Sequence, residues 1–259
     1  MKQAVLVVSF GTGFTEVIER CILPVENAIK DALKEYDFFR AFTSKTIIKK
    51  LEKTKGIHIP QPIAALEQII REGYEKIVIQ PTHIMPGIEY HELKEQIAAF
   101  AAKYPDIFII VGQPLLYENE DYETVVRAMS GFMPEIKKNE ALILMGHGTP
   151  HFSNAAYFEL QYYMKKIHGS RIYIACVEAP PFLSDVIDEL KVSNIHKVHL
   201  MPLMLVAGDH AKNDMAGEDE DSWKSILEKN GFEVDTCLKG LGENPRILEI
   251  YKNKVLNLI

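Results

Sequence analysis

Apolar and polar positions along this chain alternate between two textures: short, nearly continuous apolar runs, and longer stretches with apolar residues at helical spacing. The runs at 4–9, 37–43, 76–80, 106–111, 141–145, 171–177, 197–201 and 232–237 predict strands. Most sit close to Gly or Pro, and continuous apolarity of this length suits a strand covered on both faces. The amphipathic stretches at 16–36, 62–72, 90–104, 122–133, 154–168, 181–191 and 222–230 predict helices, and a last helix follows Pro245 within 244–259. Parallel strands need crossover connections, so this alternation predicts parallel sheets with helices on both faces. The expected fold class is α/β: two similar doubly wound lobes, each a mainly parallel four-stranded sheet flanked by helices.

Two lobes are expected because the chain repeats itself. Ala4-Val5-Leu6-Val7-Val8-Ser9-Phe10-Gly11-Thr12 is echoed by Ala141-Leu142-Ile143-Leu144-Met145-Gly146-His147-Gly148-Thr149. Lys76-Ile77-Val78-Ile79-Gln80-Pro81, running on to Glu89, is echoed without a gap by Lys197-Val198-His199-Leu200-Met201-Pro202, running on to His210. Phe10 thereby aligns with His147, and Glu89 with His210. Pro134 and the pair Lys137-Lys138 interrupt the pattern, which places the lobes at 1–134 and 135–259. Ligands of open α/β sheets bind beyond the carboxyl ends of strands. All four aligned positions follow a strand, so a site in a cleft between the lobes is expected.

Composition narrows the class. Hydrophobic residues make up 47% and charged residues 25% of the 259, as in ordinary globular proteins. A formal charge of −7 offers no basic field for nonspecific nucleic-acid binding. No run reaches the roughly 18 apolar residues of a membrane span. Residues 4–10 read as a first strand rather than a signal peptide, because Gly11-Thr12-Gly13 replaces a small-residue cleavage site. Cys21, Cys176 and Cys237 form no close pair, which suits a reducing compartment. The expectation is a cytoplasmic protein with no nucleic-acid or membrane partner, compatible with a homo-oligomer.

Candidate chemistry gathers at the repeated points. The glycines around His147 leave its imidazole unshielded, and a neutral imidazole accepts a proton or binds a borderline divalent metal. A histidine capping a sheet end has the same local sequence. His210 follows Gly208-Asp209, where Asp209 either orients the imidazole or caps a helix. Glu89 stands at a predicted helix start, where acidic residues are also favoured by exposed amide dipoles. Two histidines and a carboxylate match the ligand set of many metal sites, although no HExxH spacing is present. His83 and His91 are expected to be buried or capping. Ser9-Phe10-Gly11-Thr12-Gly13 is neither a nucleophile elbow nor a dinucleotide or phosphate loop, but its amides suit a carboxylate ligand.

At these residues the chain resembles the anaerobic sirohydrochlorin cobaltochelatases of cobalamin synthesis, single-protein chelatases related in fold to ferrochelatase. The resemblance runs along essentially the whole sequence. It is carried by Val8-Ser9-Phe10-Gly11-Thr12, Pro81-Thr82-His83-Ile84-Met85-Pro86-Gly87-Ile88-Glu89-Tyr90, Met145-Gly146-His147-Gly148-Thr149, Val177-Glu178-Ala179-Pro180-Pro181, residues 202–217 and Gly240-Leu241-Gly242-Glu243-Asn244-Pro245. It implies insertion of Co2+ into the metal-free tetrapyrrole sirohydrochlorin with release of two protons, and no organic cofactor. It maps the metal site onto His147, His210 and Glu89, with His147 and Glu89 as proton acceptors. Ser9, Phe10, Gly11, Thr12, Glu178 and Lys212 are expected substrate contacts. Because the substrate bears many carboxylates, Arg40, Lys45 and Lys212 are candidate counter-charges. The same scaffold inserting Fe2+ or Ni2+, and a non-catalytic two-lobed tetrapyrrole or metal carrier, are the competing readings.

Overall fold

The computed structural model describes residues 2–259. In chain order the elements are β1 (Gln3–Ser9), α1 (Thr15–Val17), a π turn (Ile18–Ile22), α2 (Leu23–Ala32), β2 (Asp37–Phe42), α3 (Lys45–Lys55), α4 (Pro62–Arg71), β3 (Lys76–Pro81), α5 (Ile88–Ala101) and β4 (Phe108–Val111). There follow α6 (Asn119–Ala128), β5 (Glu140–Gly146), a 3-10 turn (Phe152–Asn154), α7 (Ala155–His168), β6 (Ile172–Cys176), α8 (Leu183–Val192) and β7 (Lys197–Pro202). A second π turn (Ala211–Met215), α9 (Trp223–Lys229), β8 (Glu233–Thr236), a 3-10 turn (Leu241–Glu243) and α10 (Pro245–Leu256) complete the chain.

Two four-stranded sheets form, ordered β2-β1-β3-β4 and β6-β5-β7-β8, and every strand pairing is parallel. With β5 taken as β1, the two orders are identical, so the sequence repeat is a repeat of topology. The strand order reverses at β1/β3 and at β5/β7, the switch points where α/β folds open a crevice. Val5 and Val7, on the opposite face of β1 from Ala4, Leu6 and Val8, are as fully buried as those three. Helices cover both faces, which is why β1 and β5 read as unbroken apolar runs. Edge strands β4 and β8 are shorter than the runs at 106–111 and 232–237 predicted, and their partly exposed patterns explain it.

The chain divides into two compact units, Met1–Tyr117 with Leu248–Ile259, and Glu118–Ile247. The boundary expected at 134/135 falls inside the second of these units. Pro134 interrupts a loop inside the second unit, and α6 packs against α7 of the same unit. Residues Leu248–Ile259 belong to the first unit, where Tyr251 Oη donates to the Thr82 carbonyl at 2.8 Å and anchors the end of α10. Helix α3 was not predicted, since Ile47, Ile48 and Leu51 give it only a thin apolar stripe. Its ends are nonetheless defined. Ser44 Oγ accepts from the Ile47 amide, and Gly56 terminates it at φ +65°.

Candidate metal centre

In the second unit the site grows out of the carboxyl ends of β5, β6 and β7. The β5–β6 ladder pairs Gly146 with Cys176 and then continues beyond both strands. Val177 N–H donates to the Gly146 carbonyl at 3.1 Å, and Glu178 N–H to the His147 carbonyl at 2.9 Å. That continuation sets Glu178 beside His147, with Oε1 3.9 Å from Nε2. The stretch is held tightly. A Cβ on Gly146 would meet the Tyr157 ring at 2.5 Å, and one on Gly148 the Ala179 nitrogen at 2.7 Å. Gly148 also has φ +81°, a left-handed conformation that favours glycine.

His210 arrives from the loop after β7, at the mouth of the π turn Ala211–Met215. Its ring and that of His147 lie edge to face, with centroids 4.8 Å apart. Each imidazole uses Nδ1 internally. His147 Nδ1–H donates to the Gly148 carbonyl at 2.8 Å, and His210 Nδ1–H to the Asp214 carboxylate. Both rings therefore keep the Nε2 lone pair for a ligand, because a ring nitrogen's role follows from the bond its partner nitrogen makes. One ligand atom from each of His147, Glu178 and His210 lies within 4.8 Å of the others. Bonds of about 2.0–2.2 Å to a common ion need donor atoms no more than about 4.3 Å apart, so small side-chain rotations close the set.

The hard and borderline character of this set suits a first-row divalent ion, and no thiolate joins it. Cys176, at the end of β6, is the nearby sulfur, and burial pushes its thiol up to about 12, so it stays protonated. Asp209, the carboxylate next to His210 in sequence, is exposed, and the partner of the ring is Asp214. Glu178, expected as a substrate contact, stands among the candidate metal donors. Lys212 lies half-buried in the π turn.

The first unit holds the counterparts of these positions. Glu89 is exposed in the first turn of α5, whose N-cap is Gly87. Phe10, the counterpart of His147, leaves its ring 47% exposed at the end of β1. Ser9 and Thr12 are buried, by contrast. Thr82 Oγ1 donates to Ser9 Oγ at 2.8 Å, and Thr12 Oγ1 accepts from the Phe14 amide at 3.4 Å, so both side chains hold the loop. Gly11, at φ +100°, leaves the space of a Cβ to the Phe42 ring. Arg40 is engaged by the buried Glu26 carboxylate, with Nε donating at 2.6 Å. His91 Nδ1 bonds the Gly87 carbonyl at 2.9 Å. Both His83 ring nitrogens are buried without a protein partner. Burial lowers its pKa to about 4 against the opposing charge of Glu89, which keeps that ring neutral.

Fold and site together define a class: a duplicated, doubly wound α/β protein with a candidate imidazole–carboxylate metal centre at a switch point of its second sheet. The chain matches the cobalt chelatase (CbiK) family over residues 3–259, and it belongs to that family. It is 39% identical over 251 residues to a sirohydrochlorin cobaltochelatase of Salmonella typhimurium, covering 97% of this chain and 94% of that protein. It is 29% identical over 255 residues to the sirohydrochlorin cobaltochelatase CbiKC of Nitratidesulfovibrio vulgaris, covering 96% and 88%. Among solved structures, SirB from Bacillus subtilis with Fe3+ shares the fold at a TM-score of 0.67 and 17% identity, covering 98% and 94%. The sirohydrochlorin chelatase SirB of Bacillus subtilis subspecies spizizenii in complex with cobalt gives 0.65 at 17% identity, with the same coverage. No helix among the described residues is long and apolar enough to cross a membrane.

Proposed function

We propose that this protein is a sirohydrochlorin cobaltochelatase: it takes Co2+ and metal-free sirohydrochlorin, and returns cobalt-sirohydrochlorin and two protons. What supports it is the grouping of His147, Glu178 and His210, one ligand atom of each lying within 4.8 Å of the others, in a chain of the cobalt chelatase family. Co2+ is the substrate metal here, and no organic cofactor is required. The relatives' names supply the substrate, and the donor set supplies a way to hold the metal.

The chemistry asks for a site that binds Co2+ and then releases it. Two neutral imidazoles and one exposed carboxylate hold a divalent ion more loosely than a closed thiolate site, and three protein ligands leave positions open for incoming pyrrole nitrogens. As the macrocycle takes the metal, its two N–H protons must leave. His147 Nε2, freed from the ion, accepts one, and its Nδ1–H bond to the Gly148 carbonyl keeps the ring oriented for that transfer. Glu89, an exposed carboxylate of the first unit, accepts the second. Phe10 and Ile88, both exposed and apolar, offer contact area for the macrocycle.

The test is anaerobic absorption spectroscopy of sirohydrochlorin with Co2+ in weakly buffered solution containing a pH indicator. The protein should accelerate metallation and release two protons per metal inserted. Rates equal to those without protein would refute the reading. Fe2+ and Ni2+, offered in competition, should enter more slowly than Co2+.

A further inference from the structure

Helix α3 is a block of positive charge in a protein whose net charge is −7. Lys45, Lys49, Lys50, Lys53 and Lys55 are all exposed, and Glu52 is the sole acidic residue among these eleven positions. Several lysines elsewhere are paired with carboxylates: Lys165 with Glu189, Lys197 with Glu233 and Asp235, Lys224 with Glu218, Lys229 with Glu220, Lys252 with Glu249. Among the described residues, no lysine of α3 enters an ion pair. Glu52 instead faces His58 at 3.5 Å.

The helix itself gains nothing from this arrangement. Lys45, Lys49 and Lys53 stand four residues apart, the spacing at which like charges repel along a helix. Lys45 occupies the first turn, where the macrodipole disfavours a cation. Only Lys53 and Lys55, in the last turn, are placed as helix electrostatics prefer.

Two of these lysines lie at the edge where the first sheet opens. Lys45 follows the carboxyl end of β2, and its neighbour Ser44 donates its N–H to the Phe10 carbonyl at 3.3 Å. Lys50 lies over the loop that follows β1. Its stem would be 3.0 Å and its ammonium 3.6 Å from a Cβ on Gly13, and the ammonium stands 5.3 Å from the Phe14 ring centroid. Gly13 thus leaves room for the Lys50 stem, which reaches across the loop that presents Phe10.

We propose that Lys45 and Lys50 bind peripheral carboxylates of the tetrapyrrole, forming the cationic rim that an acidic protein needs to capture a polyanionic disc. The assignment rests on the proposed sirohydrochlorin activity. It also replaces Arg40, already held by Glu26, as the counter-charge of this unit.

The experiment compares native protein, Lys45→Gln/Lys50→Gln and the control Lys53→Gln/Lys55→Gln, measuring sirohydrochlorin Kd by absorption titration and cobalt insertion as kcat and KM. The rim variant should bind roughly tenfold more weakly at low ionic strength, with KM raised in step, kcat little changed and a flatter salt dependence. The control should match native protein within about twofold. A methyl-esterified substrate should bind native and rim variant alike. Unchanged Kd and salt dependence in the rim variant, or an equal loss in the control, would overturn the proposal. Those outcomes are read only where native protein inserts cobalt, so failure of the activity itself shows separately, as no acceleration by native protein.

Discussion

In the proposed site His210 offers Nε2 to the metal, because Asp214, one turn further on, holds its Nδ1–H. His147 is oriented by a backbone carbonyl, which no side-chain substitution removes. Asp214→Ala should therefore lower the affinity of the isolated protein for Co2+ by about 10- to 100-fold, the usual cost of losing a group that orients a ligand, as read by titration with the metal alone. Cys176→Ala should leave that affinity within about twofold, because a thiol raised to about 12 is not a ligand near neutral pH. Legibility at this scale followed the repeat. His147, His210 and Glu89 stood out because each occupies an aligned point in two similar segments. Asp214 and Glu178 had no such signal in their roles. The sequence showed Asp209 as the nearest carboxylate to His210, but the π turn swings Asp214 back onto the ring. Glu178 reaches the donors only through pairing of β5 and β6 beyond their ends.

Elements place these groups, and two changes probe how. Gly148→Ala puts a Cβ at φ +81° and 2.7 Å from the Ala179 nitrogen, backbone that carries Glu178. It should cost about 1–3 kcal/mol in denaturant unfolding and weaken Co2+ binding at the same time. In the first unit, β2 and α2 are joined by Arg40 and the buried Glu26. Burial raises the Glu26 pKa, and the Arg40 hydrogen bond and charge offset this only in part. The folded state thus binds a proton at Glu26 more tightly than the unfolded state, and this group's contribution to stability falls as pH rises through the carboxylate range. Arg40→Met removes both offsetting effects. It should destabilise by about 3 kcal/mol at neutral pH and by less in acid, as measured by unfolding at the two pH values. Strands β1, β3, β5 and β7 were legible because burial on both faces writes itself as continuous apolarity. Helix α3 was not, since its exposed lysines leave only three apolar residues to show a period.

Over the whole molecule, duplication is the organising fact. Each sheet has its first and third strands at the centre, and each presents the residues after those strands at a switch point. One unit carries the imidazoles there, while the other carries an exposed phenylalanine and a carboxylate. Two parallel four-stranded sheets were readable from the alternation and the repeat, whereas their strand order came only with the structure. The compact units depart from the repeated segments at α6 and the tail, which packing rather than the repeat assigns. In the proposed reaction the candidate metal centre of the second unit delivers cobalt to the ring through His147. The decisive experiment is anaerobic cobalt insertion into sirohydrochlorin by native protein and by His147→Ala, at matched concentrations with ring binding monitored alongside. Native protein should insert cobalt rapidly and His147→Ala at a rate near the uncatalysed one, with the ring still bound. Equal insertion by both would rule out this role for His147.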